Sequence, residues 1–203
     1  MTTNESFPKF DLPVDFIADD SITGDILNYY GNFPCKIKAG VFMLCTEGMV
    51  RATINLLEIV IRKNDFIVVL PNSFIQIHEV SSDTRISFAG FSSDFMLSGN
   101  YVEILLDFMP MILNSPVISL QEDVAGLYRN VYLLLIRAYT LPHSLENKEI
   151  IRSVLAIFLQ GTKELYKRYG KKLDEPLRRE QELYRQFIQL LMVHYTKEHE
   201  VAF

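Results

Sequence analysis

The sequence predicts an α+β fold, a strand-rich antiparallel β-barrel followed by a layer of helices. Short apolar runs broken by turn residues recur about every ten residues up to residue 92, the spacing of a sandwich or barrel. Beyond that point the apolar period becomes helical. Composition divides in the same region: 11 of the 14 phenylalanines precede residue 110, and residues 1–100 carry a net charge of −5 against zero for residues 101–203.

Residues 37–46 form the first clear strand, and Glu47-Gly48 turns the chain. Residues 50–55 follow, with Arg51, Thr53 and Asn55 on one face and Val50, Ala52 and Ile54 on the other, because side chains alternate along a strand. Residues 57–62 repeat the pattern through Leu57, Ile59 and Ile61. Lys63-Asn64-Asp65 is a turn, since Asn and Asp bond their own backbone and tolerate left-handed geometry. Residues 66–70 run into Pro71-Asn72, and residues 74–80 and 84–91 complete the set around the polar Ser81-Ser82-Asp83. Closure into a barrel would remove exposed strand edges.

Residues 101–113 form the first helix, with Pro110 near its end. Ser119-Leu120-Gln121-Glu122 reads as a capping box, Ser and Glu three apart satisfying reciprocal backbone donors. The helix behind it, 121–140, sets Leu127, Val131, Leu134, Leu135 and Ala138 on one face and stops at Pro142. A second long helix runs from 145 to 169. Ile151, Leu155, Phe158, Thr162, Leu165 and Tyr169 follow the four–three spacing of a heptad seam along it. Ile150, Val154 and Ile157 widen that apolar face. The seam suits either a partner subunit or the core of a bundle, and a homodimer through it is the expectation. Asp174 caps a last helix with Pro176 in its first turn and Leu183, Phe187, Leu190 and Leu191 on one stripe.

A pI near 5.4 argues against a chain that binds nucleic acid by itself. No cationic-then-apolar leader opens the sequence, and no window reaches the roughly 18 apolar residues of a membrane span. A cytoplasmic protein without membrane contact is expected. Cys35 and Cys45 lie in apolar strand-like sequence and read as buried free thiols, with a cross-strand disulfide as the alternative.

Phosphate-binding, dinucleotide-binding and nucleophile-elbow motifs are absent. The four histidines are scattered, and a metal would need several ligands converging from neighbouring strands. No catalytic residue, metal or cofactor is expected. Arg51, Thr53 and Asn55 could orient a small polar effector inside the barrel, or could be the solvent face of an edge strand. Gln76 and His78 are candidates of the same kind, and His78 could equally be a satisfied barrel residue. The basic stretch Lys163, Lys167, Arg168, Lys171, Lys172, Arg178 and Arg179 complements a helix C-terminus.

Phe42-Met43-Leu44-Cys45-Thr46-Glu47-Gly48, then Asn64-Asp65-Phe66-Ile67-Val68-Val69-Leu70-Pro71, then a strand holding His78, resembles the cupin-type sensor domain of AraC-family transcription regulators. In that family a Gly-Asp turn is usual. Here Asn64 replaces the Gly, and His78 falls later than usual. Phe91-Ser92-Ser93-Asp94-Phe95 resembles the family's passage from strands to helices. The tail from Leu183 to Phe203 is similar to the segment leading into the DNA-binding part of Bacteroidetes-type members. The resemblance implies an N-terminal arm over residues 1–20, a cupin-like barrel over 21–98, a helical dimerisation region over 99–172, and a helix over 173–203 leading to a helix-turn-helix domain. It implies an effector-sensing, dimerising part of a regulator, reaching DNA only through that further domain. An isomerase or oxygenase on a cupin barrel is one alternative. A barrel filled by its own side chains and serving only assembly is the other.

Overall fold

The computed structural model describes residues 9–29, 33–97, 101–140 and 148–170, together with Arg179, Leu183, Gln186, Phe187 and Leu190. In chain order the elements are β1 (Lys9–Phe10), β2 (Phe16–Thr23), α1 (Gly24–Tyr29), β3 (Cys35–Ile37), β4 (Gly40–Glu47), β5 (Met49–Ile54), β6 (Leu57–Arg62), β7 (Asp65–Val69), β8 (Ser73–Val80), β9 (Arg85–Phe91), α2 (Ser93–Leu97), α3 (Tyr101–Asn114), β10 (Val117–Ser119), α4 (Glu122–Thr140) and α5 (Lys148–Tyr169). The class is α+β, as expected.

The strands form two five-stranded sheets, ordered β1-β3-β8-β5-β6 and β10-β7-β4-β9-β2. No ladder joins the sheets among the described residues, so a two-sheet sandwich stands in place of the expected closed barrel. The turns explain this. Gly48 and Asn64, at φ of 78° and 69°, carry the chain from one sheet to the other instead of closing a hairpin within a ladder. A Cβ on Gly48 would sit 2.5 Å from Thr84 Cα, so this crossing admits no side chain. Asn64 thus adopts the left-handed conformation that the glycine of a Gly-Asp turn favours. The β5–β6 connection is a true hairpin, with Asn55 and Leu56 at φ of 49° and 70°, the signs of a type I′ turn.

Two strand boundaries differ from expectation. The expected strand 37–46 is broken at Lys38 and Ala39, placing β3 in the first sheet and β4 in the second. Residues 16–20 are not arm but the start of β2, paired with β9 from Phe16↔Phe91 to Asp19↔Phe88, with a bulge before Ile22. Burial of Phe16 and Ala18 accounts for this: their apolar side chains belong to a covered sheet face.

The second sheet is buried on both sides, and β7 is buried along its whole length, the pattern of a strand covered on both faces. Toward the helices it turns Phe42, Leu44, Phe66, Val68, Ala89 and Phe91. Toward the first sheet it turns Cys45, Ile67, Val69 and Ile86, which meet Val50, Ala52, Ile54 and Ile61. On the helical side aromatic rings pack in series, Phe42 and Tyr132 each 5.5 Å from Phe158.

Helix boundaries follow their caps. Ser92 Oγ accepts from Phe95 N at 3.3 Å and starts α2. Helix α3 runs through Pro110. The expected capping box is not formed. Ser119 ends β10 and donates to Asp65 at 2.6 Å, while the Glu122 carboxylate accepts from Asn64 at 2.5 Å. Both capping side chains are drawn to the β6–β7 turn, and α4 begins at Glu122.

The two long helices correct the expected faces. On α4 the buried side chains are Ala125, Tyr132 and Leu135, whereas Leu127 and Leu134 are 61% and 67% exposed. The Ala138 side chain lies outside the described residues. On α5 the seam expected to meet a partner is the core: Ile151, Leu155, Phe158, Thr162 and Leu165 are buried, and Tyr169 packs against the same cluster. The helix-facing side of the second sheet is apolar over Phe42, Leu44, Phe66, Val68, Ala89 and Phe91, and the seam of α5 packs into that cluster. The expected C-terminal helix over 173–203 falls almost wholly outside the described residues.

Candidate functional site

Between the two sheets lies a cavity of about 360 Å³. Strand alternation aims Val41 and Met43 of β4, Val69 of β7, Ile75 and Ile77 of β8 and Phe88 of β9 into it. Ile22, Leu27 and Ile37 close its end near α1 and β3. Phe10 and Leu12 complete the wall, held there because β1 pairs in parallel with β3 and Lys38 N donates to Phe10 O at 2.8 Å. A cavity of this size and apolarity, with very few polar groups, matches the general form of a small-molecule site.

Among the described lining residues three side chains are not hydrocarbon, Asp19, Cys35 and the thioether of Met43. Asp19 sits opposite Phe88 just before the β2 bulge, and among the described lining residues it is the one with a carboxylate side chain. Burial pushes the Cys35 thiol up from its ordinary value, offset in part by a backbone hydrogen bond at Phe10. Both cysteines are free. Cys45 is pushed up to about 12, chiefly by burial and next by the nearby charge of Asp65, so it rests as an inert thiol that donates to Glu47 O at 3.2 Å.

The five polar residues proposed from the sequence stand elsewhere, away from the cavity wall. Arg51, Thr53, Gln76 and His78 lie on the outer face of the first sheet. Thr53 and Gln76 are cross-strand partners, Thr53 Oγ1 and His78 Nε2 are 2.7 Å apart, and Arg51 pairs with Glu79 at 3.3 Å. Asn55 belongs to the hairpin turn. Its amide donates to Ser73 Oγ at 3.0 Å and its carbonyl accepts from Phe74 N at 2.9 Å, which pins the turn to β8. The structure therefore brings Thr53, Gln76 and His78 together and leaves Asn55 apart. Asp19, missed by the sequence reading, carried one legible sign: an acid between Phe16, Ala18 and Ile22 in a run with strand alternation.

A second cleft, about 450 Å³ and polar, runs along α4 between Asp20, Glu47, Lys63, Arg85 and Arg129. In it Arg85 pairs with Glu47 at 3.4 Å, while Arg129 reaches Glu122 at 3.9 Å. In the basic stretch, Lys167 pairs with Glu164 at 2.7 Å and holds that carboxyl below its ordinary value. Lys171, Lys172 and Arg178 lie outside the described residues. No helix among the described residues is long and apolar enough to cross a membrane, and no three His, Cys, Asp or Glu side chains among them converge on a metal-sized site.

No protein-family model and no curated protein matches the chain. Solved structures match at low identity. The AraC-like transcriptional activator CuxR is 8% identical, covering 89% of this chain and 58% of its own, with a TM-score of 0.48. ToxT from Vibrio cholerae, bound to an unsaturated fatty acid, is 10% identical over 85% and 62%, with a TM-score of 0.39. The EutQ protein of Clostridium difficile is 13% identical over 41% and 54%, with a TM-score of 0.27. The chain thus spans less than two thirds of each of these proteins. Likenesses of this depth carry no weight on function.

Proposed function

We propose that this chain is the effector-sensing and dimerising part of a cytoplasmic transcription regulator of AraC type, reaching DNA only through a helix-turn-helix domain elsewhere in the protein. The observation that carries the reading is the hollow, apolar interior between the two sheets, the second of which is packed by helices on its far side. An interior of about 360 Å³ speaks against the alternative in which the strands are filled by their own side chains. Sequence motifs support the same reading, with Asn64 in the left-handed conformation that suits a Gly-Asp turn and Phe10 and Leu12 of the N-terminal segment walling the cavity.

The dimer moves to a different face from the heptad seam. Tyr128 of α4 approaches Gly161 of α5, so these helices are neighbours. Their exposed apolar residues include Leu127, Leu134, Ile150 and Ile157, the last 68% exposed. A two-fold dimer would use the same patch on both subunits, and dimeric regulators need that symmetry to read paired half-sites. The test fuses the chain to a helix-turn-helix module that binds its operator only as a dimer. Repression by the fusion, lost with Ile157→Asp, supports the reading. A fusion that never represses, with a monomeric mass in solution at high micromolar concentration, overturns it.

A further inference from the structure

We propose that the open edge of β6 pairs antiparallel with β6 of a second copy of this chain, about a two-fold axis at Val60. The contact is separate from the helix-face dimer and does not depend on it. The two sheets have four edges, β1 and β6 in the first and β10 and β2 in the second. An exposed edge invites pairing with another chain, and proteins blunt edges by shortening, bulging or covering them. Strands β1 and β10 have only two and three residues, and β2 is bulged between Asp19 and Ile22. Strand β6 has six residues in unbroken register with β5, and no strand lies beyond it among the described residues.

Backbone direction and side-chain order select one register. The Arg62 amide donates to Asp65 Oδ2 at 2.7 Å, so it points away from β5. Strand alternation turns the amides and carbonyls of Val60 and Glu58 the same way, toward the open edge. Setting Val60 opposite Val60 of the second copy brings Glu58 opposite Arg62 at both ends. Opposite charges facing across a ladder attract, and like charges repel. A register centred on Glu58 or on Arg62 sets like charges face to face. Registers that oppose Val60 to Glu58, or Val60 to Arg62, use two of the three outward residues. The Val60 register uses all three with their charges matched. It forms two backbone hydrogen bonds at Val60 and one from each Glu58 amide to an Arg62 carbonyl, because Asp65 already holds the Arg62 amide. Glu58, Val60 and Arg62 are all exposed. On the inner face the half-buried Ile59 meets Ile61 of the second copy and continues the apolar layer between the sheets. Each copy offers the same edge, so the pairing closes as a dimer. Combined with the helix face, it would join dimers to dimers.

The test uses the full chain carrying Ile157→Asp, which removes the helix-face contact. Sedimentation equilibrium from about 50 μM to about 1 mM spans the range of a small interface, and a monomer–dimer equilibrium is expected there. Val60→Pro removes the central amide at an edge position that accepts proline, and should weaken the dimer at least about tenfold. Glu58→Arg and Arg62→Glu should each abolish self-association. Their equimolar mixture should restore it, since every facing pair is again opposite in sign. Both charge variants alter exposed side chains, so they decide the matter even if Val60→Pro fails to fold. A chain monomeric over the whole range overturns the inference, as does a mixture that fails to associate or a dimer unmoved by a folded Val60→Pro. None of these outcomes bears on the helix-face reading, whose contact is absent from the protein tested.

Discussion

The second sheet divides two apolar interiors built on opposite principles. On its helical side, large rings fill the space: Tyr132, Phe42, Phe66, Phe91 and Phe108 are almost wholly buried, and Phe158 contacts Phe42, Phe91 and Tyr132. On the side facing the first sheet, branched aliphatic residues line a space they do not fill. Interiors are normally packed to the density of organic crystals, so the filled side secures the fold while the hollow side forgoes contacts it could have made. The same strands serve both, through alternation alone.

Several substitutions break or sharpen this contrast. The largest effect is expected from Phe158→Ala, which opens a void among three rings and should cost about 3–5 kcal/mol in urea unfolding. Ile75→Ala on the hollow side should cost less than half as much, because the atoms removed already face empty space. Equal costs would break the comparison. Enlarging side chains gives the mirror test. Val68→Phe on the filled side should destabilise by about 1–3 kcal/mol, whereas Val41→Phe should leave the unfolding midpoint nearly unchanged while eliminating ligand binding. Thr162→Val should raise stability by about 1 kcal/mol, because Thr162 Oγ1 is buried with no hydrogen-bond partner among the described residues. Smallest is Leu56→Gly, at an exposed left-handed turn position belonging to neither interior. It should gain about 0.5 kcal/mol in thermal unfolding and leave ligand affinity untouched.

What the sequence made legible follows from what period carries. Alternation located β5 to β9 closely, and the turns at Glu47-Gly48 and Lys63-Asn64-Asp65 are where the chain crosses. Period 2 says which residues share a face but not which face is inside. Alternation therefore groups Arg51 with Thr53 and leaves open barrel interior or solvent face, and the structure puts them on the outer face of the first sheet. On α5 the seam was read correctly as an apolar stripe. Its spacing could not say whether the stripe faced a partner or the chain's own sheet, and the sheet, apolar on both sides, decided it. Three-residue β10 was hidden because Ser119 and Glu122 suit a capping box, and only the tertiary approach of Asn64 and Asp65 redirects them. The cavity is not legible in the sequence because its wall is mostly apolar: Val41, Met43, Ile75 and Ile77 look like ordinary core until the two sheets are placed.

That alternation in β4 has a further consequence. Met43 lines the cavity, while its neighbours Phe42 and Leu44 are locked among the helices. Selectivity and robustness are thus written in adjacent letters of one strand, odd positions for the guest and even positions for the scaffold. A library that randomises Val41 and Met43 of β4 and Ile75 and Ile77 of β8 while holding Phe42, Leu44, Phe66 and Val68 fixed would retune the chamber and leave the helix-side core of the second sheet intact.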